Sequence, residues 1–176
     1  AAIETEKAGA VPLSVQIDSH LTLAQQVKAE GLTWLDEQPE TGWAHGFGAD
    51  LTAARRQRWQ VLQARGLAEA GQQSLSAEQS EMLKQRGMEH TGKTVADSIG
   101  KPYRALPKSG TVEGVYTATV TNGQGRHAVI EQKASFTLAP YRAVMERSRG
   151  MSISGTIKNG RVNWIFGKRR TRGLSR

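Results

Sequence analysis

The sequence predicts an α+β protein, with a helical N-terminal half followed by a small five-stranded antiparallel barrel. The period of the apolar residues changes from about 3.6 to 2 after Pro107. The charge changes at the same place: residues 1–100 carry nine Lys+Arg against 13 Asp+Glu, and residues 101–176 carry 15 against three. We therefore expect a mainly helical domain over 1–106, a small β-barrel domain over 107–167 and a basic flexible tail over 168–176.

The first half contains three helical patterns. Apolar residues from Leu21 to Leu35 form one helical stripe that Gly31 interrupts, which predicts either one bent helix or two short ones over 21–38. Thr33 and Asp36 have the spacing of a cap for the second of these. A short β-like stretch, Val15–Ile17, precedes them.

Two longer helices follow a loop over residues 39–46. Asp50 is the predicted N-cap of the first, and Gly66 is its stop signal. Ser76 and Gln79 form a capping box that opens the second, which runs towards Ile99 and ends before Gly100.

The second half alternates apolar and polar residues between turn signals. Asn122-Gly123 and Asn159-Gly160 are typical of tight hairpins. A short helix over Pro140–Arg149 lies between the third and fourth strands. The five predicted strands are Val112–Val120, Arg126–Glu131, Ala134–Leu138, Met151–Ile157 and Val162–Phe166. Because an open sheet of this size exposes its edges, we expect a barrel, either OB-like or SH3-like.

Signals for catalysis are weak. The absence of cysteine excludes disulfides and thiolate metal sites, and the four histidines (His20, His45, His90 and His127) share no metal-ligand spacing. The segment Gly87–Thr94 spells a phosphate-binding P-loop, but a helix-forming run precedes it where that loop needs a buried strand. The adjacent acids Asp36 and Glu37 fit a helix start better than acid–base chemistry. We expect no catalytic residue, metal or cofactor.

The basic half carries the functional prediction. Its net charge of +12 attracts polyanions, and we expect DNA to be bound through phosphates with little sequence preference. An acidic protein, a membrane face or an unpartnered basic surface are the other interpretations. The predicted phosphate-binding residues are Arg126, Lys133, Arg142, Arg147, Arg149, Lys158, Arg161, Lys168, Arg169, Arg170 and Arg172.

Aromatic residues in the same half are candidates for base stacking, namely Tyr116, Phe136, Trp164 and Phe166. Alternating apolar positions in a small barrel usually face inward, so each of them is also a candidate core residue. The sequence leaves both interpretations open.

Several segments, taken in order, resemble the C-terminal domain of conjugative relaxases, the nucleases of plasmid mobilisation. The likeness extends from about residue 10 to the end of the chain. The segments that carry it are Gly31–Glu37, Gly46–Asp50, Arg55–Gln57, Gln63–Glu69, Lys101–Tyr103, Val112–Tyr116, Gly125–Glu131, Phe136–Arg142 and Val162–Gly167, with an Arg-Gly-Leu ending.

The resemblance implies a parent enzyme that nicks one DNA strand with a tyrosine and a metal held by clustered histidines. That nuclease domain precedes the part matched, so Tyr103, Tyr116 and Tyr141 inherit no catalytic role. Relaxases are exported with their DNA through a type IV secretion channel, and Arg170-Thr171-Arg172 resembles the Arg-x-Arg element of secretion signals.

The function expected from the sequence is therefore a non-catalytic DNA-binding accessory domain of a relaxase, with single-stranded or transfer-origin DNA as its partner. The alternative is a protein-docking module for the coupling protein or other relaxosome members. No apolar run approaches the roughly 18 residues that a membrane span needs. We expect a cytoplasmic location before export, and no membrane insertion.

Overall fold

The computed structural model describes residues 21–39 and 45–166. The helices are α1 (Leu23–Lys28), the 3₁₀ helix η1 (Trp34–Glu37), α2 (Phe47–Ala64), α3 (Ala77–Ile99) and a second 3₁₀ helix, η2 (Ala143–Ser148). The strands are β1 (Ser109–Asn122), β2 (Gly125–Glu131), β3 (Phe136–Pro140), β4 (Ser152–Lys158) and β5 (Arg161–Phe166). The predicted stretch Val15–Ile17 and the tail from residue 168 lie outside the described residues.

The chain divides into two compact units. The helical unit comprises Ala1–Thr91 with Thr121–Gly125, and the sheet unit comprises Gly92–Val120 with Arg126–Arg176. The division falls inside α3 and inside β1, which differs from the boundary after residue 106 predicted from the sequence. Within the sheet unit, Gly92 lies directly against the ring of Tyr103, which packs on Phe136 with ring centroids 5.6 Å apart. The last turns of α3 thus belong with the strands.

Two apolar clusters and a buried ion pair hold the helical unit together. One cluster joins Val27, Leu35 and Ala54. The other contains Leu32, Leu62, Leu67 and Leu83. Gly31, in the loop between α1 and η1, approaches Gly87 of α3 so closely that a Cβ on Gly31 would lie 2.5 Å from the Gly87 Cα, and neither position has room for a side chain.

The ion pair joins α2 to η1. Arg58 Nε donates to Asp36 Oδ1 at 2.8 Å, and both side chains are 1% exposed. The remaining guanidinium nitrogens donate to the carbonyl oxygens of Ala29 and Gly31, at 2.6 and 2.7 Å. Asp36 in turn accepts from the Thr33 amide at 2.8 Å, as the predicted cap requires. The Asp36 carboxylate thus takes part in two structural contacts, the ion pair with Arg58 and the cap of η1.

The structure confirms most of the predicted helix ends. The Gln79 amide donates to Ser76 Oγ at 3.1 Å, and the Ser76 amide donates to Gln79 Oε1 at 2.9 Å. Gly66 and Gly100 have positive φ angles just after α2 and α3. The predicted N-cap Asp50 was wrong: the N-cap is Gly46, four residues earlier, and its carbonyl accepts from the Ala49 and Asp50 amides.

The five strands form one antiparallel sheet in the order β3-β2-β1-β4-β5. Three consecutive strands are followed by a fourth that returns beside the first, which is a Greek-key arrangement. The connection between β3 and β4 carries η2, where a short helix was predicted. No ladder joins β3 to β5 among the described strands, so the sheet is open, although these two edge strands contact each other.

One face of the sheet forms the core of the sheet unit. Val112, Tyr116, Ile130, Ile153 and Ile157 are buried in it, and Met145 from η2 closes it. No helix among the described residues has both the length and the apolar character needed to cross a bilayer.

Candidate nucleic-acid interface

Three cations lie at or beside the β4–β5 turn, and we call Lys108, Lys158 and Arg161 the hairpin cations. Lys158 and Arg161 are register partners on either side of the Asn159-Gly160 turn. Both turn residues have positive φ angles (51° and 72°), as a type I′ turn requires. The Gly160 amide donates to the Lys108 carbonyl at 3.2 Å, which fixes Lys108 beside the turn.

The hairpin cations are exposed and uncompensated. All three are solvent-exposed, and none makes an ion pair with a carboxylate in the described part of the chain. Sequence reasoning included Lys158 and Arg161 but missed Lys108. The missing information was the pairing of β1 with β4, which sets Ser109 opposite Lys158.

A polar strip continues from the hairpin cations along β1, β4 and β5. Directly paired residues in antiparallel strands share a face. One row holds Thr111, Thr156 and Asn163, all exposed. The next holds Glu113, Ser154 and Ile165. We call these two rows, together with Lys158 and Arg161, the strand face; Lys108 precedes β1 and adjoins this face through its backbone contact with Gly160. Hydroxyl and amide groups beside cations are typical of surfaces that contact a phosphate–sugar backbone.

The same face of β2 and β3 is covered. Val129 and its register partner Leu138 are 2% and 1% exposed, although neither belongs to the core on the opposite side. Phe136 is fully buried under Tyr103, and Lys101 Nζ donates to the neighbouring Glu131 Oε2 at 2.8 Å. These two strands therefore have no open surface for a nucleic acid.

The aromatic stacking candidates are buried or half-buried: Tyr116, Trp164 and Phe166 lie on the core side of the sheet, and Phe136 lies on the opposite side. Tyr116 is fully buried, so the prediction that it stacks on bases was wrong, and the same holds for the buried Phe136. Trp164 and Phe166 are half-buried and pack against the core cluster. On β4 they lie opposite Gly155 and Ile153, which belong to the core side of the sheet. The inward interpretation of the alternating pattern is the one that the structure supports.

A second charged cluster surrounds Glu146 on η2. Its carboxylate accepts from the Tyr116 and Tyr141 hydroxyls at 3.0 and 3.1 Å and pairs with Arg149 at 2.9 Å. The Arg126 guanidinium lies 5.1 Å from the centre of the Tyr141 ring. Arg149 is thus partly neutralised by Glu146, which makes it a weaker phosphate ligand than its sequence position implies.

The environment of Glu146 predicts an acid-sensitive contribution to stability. Desolvation favours the neutral carboxyl, but hydrogen bonds from Tyr116 and Tyr141 and the charges of Arg149 and Arg126 outweigh it. The pKa of Glu146 therefore lies below its ordinary value of 4.5. A carboxyl with a lowered pKa stabilises the fold above pH 4.5, and the stabilisation is lost as the pH falls through the folded-state pKa.

We expect Glu146→Gln to flatten the acid limb of the stability curve between neutral pH and pH 3, as measured by urea unfolding at a series of pH values. Part of the slope should remain, because a hydrogen bond from Lys101 also lowers the pKa of Glu131. Glu113→Gln is the control, since the Glu113 side chain makes no ion pair among the described residues. Identical curves for both variants would contradict the role assigned to Glu146.

The other predicted cations are dispersed. Arg126, Arg142 and Arg147 are exposed in or near η2 and the start of β2. Lys133 is exposed in the β2–β3 turn, where Gln132 donates to the Glu113 carbonyl at 3.1 Å, well along β1 from the hairpin cations. Lys168, Arg169, Arg170 and Arg172 lie outside the described residues, so their position relative to the strand face stays a prediction.

The P-loop spelling lies within a continuous helix. Gly87–Thr94 falls inside α3, where the backbone amides are used by the helix and cannot converge on a phosphate. Within the described ranges, no group of three His, Cys, Asp or Glu side chains is placed to hold a metal ion. His45 and His90 are exposed and His127 is buried in β2, while His20 is outside the described residues.

The fold and the strand face define an α+β protein with a basic, hydroxyl-lined sheet surface. The chain belongs to a family described as protein of unknown function (DUF3363), whose model matches residues 1–174. Comparison with curated proteins gives no match, and neither does comparison with solved structures.

Proposed function

We propose that this chain is a non-catalytic DNA-binding accessory domain of a conjugative relaxase, and that it holds single-stranded or transfer-origin DNA along the strand face. The observation that carries the proposal is the position of Lys108, Lys158 and Arg161 at one turn, exposed and without an ion-paired carboxylate among the described residues. Such a cluster attracts phosphates and releases their counterions.

We further propose that the sheet is an OB-like barrel rather than an SH3-like one. The Greek-key strand order, the position of η2 between β3 and β4 and the contact between the edge strands all favour it. OB-folds bind oligonucleotides through the face of strands 2 and 3 and the loops between strands 1 and 2 and strands 4 and 5. Since the outer surface of β2 and β3 is buried in this chain, the β4–β5 turn is the part of that arrangement open to DNA.

A second candidate function is a docking module for the coupling protein or another relaxosome member. Ile165, on the strand face, is 62% exposed, and such a large apolar side chain beside polar residues is suited to a protein partner. In this case the hairpin cations accelerate the encounter with an acidic partner protein and do not bind a DNA strand. The basic tail, residues 168–176, carries a type IV secretion signal in either proposal.

Deleting residues 168–176 tests whether DNA binding and export depend on different parts of the chain. For a DNA-binding domain that works through the strand face, the truncated protein should keep most of its affinity for a labelled oligonucleotide in fluorescence anisotropy. Its affinity should still fall with increasing salt. Export of a fused reporter through the secretion channel should be lost.

An intact protein that shows no anisotropy change, or one that salt does not affect, would contradict the DNA-binding proposal and favour the docking module. A truncated protein that loses DNA binding but retains export would contradict both the strand-face site and the secretion signal.

A further inference from the structure

A buried arginine in the helical unit has no carboxylate partner among the described residues. Arg55 on α2 is 8% exposed, and no carboxylate in the described part of the chain pairs with it. Its Nη2 donates to the Gln73 carbonyl at 2.6 Å, whereas its Nε is buried without a hydrogen-bond partner. An unpaired charge at this depth is costly, and folded proteins avoid it unless a partner is supplied.

The neighbouring Arg58 is also buried, but its guanidinium has a full set of partners within the protein. Arg58 has a carboxylate, Asp36, and carbonyl acceptors for its remaining nitrogens. Arg55 lies only three residues earlier on the same helix and has one carbonyl. Since no carboxylate among the described residues pairs with Arg55, the contrast points to a ligand as its partner.

A cavity of about 170 Å³ lies beside Arg55. Arg55 and Trp59 line it together from positions four residues apart on α2, and Arg56 adds a second cation at its rim. Gln73 also lines it and has an exposed side chain, and no aspartate or glutamate of residues 21–39 and 45–166 is among the lining residues. The volume corresponds to about six water molecules at roughly 30 Å³ each, which is the scale of a single nucleobase.

A second cavity on the other side of Arg55 is less suited to an anion. It is larger, about 460 Å³, but Asp36 and Glu37 are among its lining residues. Asp36 is ion-paired with Arg58, whereas Glu37 is exposed and makes no ion pair among the described residues, so this acidic side chain disfavours an anion there. A negatively charged ligand therefore has a better environment on the Trp59 side.

We infer that the cavity lined by Arg55, Arg56 and Trp59 binds one nucleotide, with the phosphate on the two guanidinium groups and the base against the indole. Arginine binds phosphate in a planar, two-pronged geometry, and a tryptophan ring stacks on any base. The Gln73 amide is suited to the polar edge of that base. A simple carboxylate would satisfy Arg55 but would leave the indole and the amide without a role. The inference concerns the helical unit and does not depend on the strand face.

Thermal unfolding of the whole chain with three probes tests this site. Thymidine 5′-monophosphate should raise the Tm by a few degrees at concentrations about tenfold above its Kd, and inorganic phosphate and thymidine should each raise it less. A short oligothymidylate is compared with the monophosphate at equal nucleotide concentration. If the oligothymidylate raises the Tm more, the bound nucleotide belongs to a DNA strand. If it raises the Tm equally or less, the ligand of the cavity is a free nucleotide.

Arg55→Met separates a ligand site from a structural arginine. The variant should lose the response to the monophosphate, while its Tm without ligand stays equal to or above that of the original protein because an uncompensated buried charge has been removed. Arg56→Gln, at an exposed position, should keep the fold and weaken binding about tenfold. Lys28→Gln is a charge-matched control that should change nothing.

Replacing the three hairpin cations by glutamine should leave the monophosphate response intact, which separates this site from the strand face. The inference is overturned if no probe shifts the Tm at millimolar concentration, if acetate shifts it as much as the nucleotide, or if the shift survives Arg55→Met. A large drop in Tm for Arg55→Met without any ligand would also overturn it. None of these outcomes alters the expected behaviour of the strand face.

Discussion

Asp36→Ala is expected to lower the free energy of unfolding by about 3–5 kcal/mol, because it leaves the guanidinium of Arg58 buried without its carboxylate. Arg58 is 1% exposed and cannot turn towards water without breaking its bonds to the Ala29 and Gly31 carbonyls. The same substitution removes the acceptor for the Thr33 amide. Urea unfolding followed by circular dichroism at 222 nm, where the helices dominate the signal, measures the loss.

Glu37→Ala is the matched control, because Glu37 is the next residue of η1 but is exposed. It should change the unfolding free energy by less than about 0.5 kcal/mol. The double variant Asp36→Ala with Arg58→Met should recover much of the loss, since an apolar side chain of similar length needs no counter-charge. If Asp36→Ala and Glu37→Ala behave alike, the ion pair does not stabilise the helical unit.

The sequence predicted the features that depend on residues close together in the chain. The Ser76–Gln79 capping box and the Asn159-Gly160 turn each involve residues at most three positions apart, and both occur as expected. The same is true of the glycine stops after α2 and α3. Local chemistry of this kind is decided by backbone geometry and needs no tertiary information.

The features that sequence reasoning missed depend on residues far apart in the chain. Lys108 joins the hairpin cations only through the pairing of β1 with β4, and Asp36 meets Arg58 across 22 positions. Nothing in the local pattern distinguishes Arg58, which is buried and paired, from the neighbouring Arg55, which is buried without a carboxylate among the described residues. Tertiary contacts alone separate these cases.

The error over Tyr116 has a different origin. The alternation of the strand indicated an inward-facing ring, while the positive charge of the second half suggested a ring exposed to bases. Packing prevailed, because burying a tyrosine whose hydroxyl can donate to Glu146 removes a large apolar surface from water without leaving a polar group unpaired. Charge indicates the kind of partner, but it does not decide which aromatic residues are exposed.

Replacing Lys108, Lys158 and Arg161 together by glutamine is expected to weaken binding of single-stranded DNA about 100-fold at 0.1 M salt. Each phosphate contact on a single strand contributes about 0.7 to the slope of log K against log salt, so losing three should reduce the slope by about 2. Fluorescence anisotropy with a labelled oligonucleotide over a salt series measures both quantities. The fold should be preserved, because the three side chains are exposed and make no ion pair with the described residues.

The matched control replaces three exposed lysines of α1 and α3, Lys28, Lys84 and Lys93, by glutamine and so changes the net charge by the same amount. If attraction by the overall charge were sufficient, both triple variants would lose the same affinity and the same slope. If the β4–β5 turn forms the site, only the variant that lacks the hairpin cations should show a smaller slope of log K against log salt. The reason is that counterions are released where phosphates touch cations and not by net charge at a distance. Equal losses would remove the strand face from the proposal while leaving non-specific attraction of DNA in place.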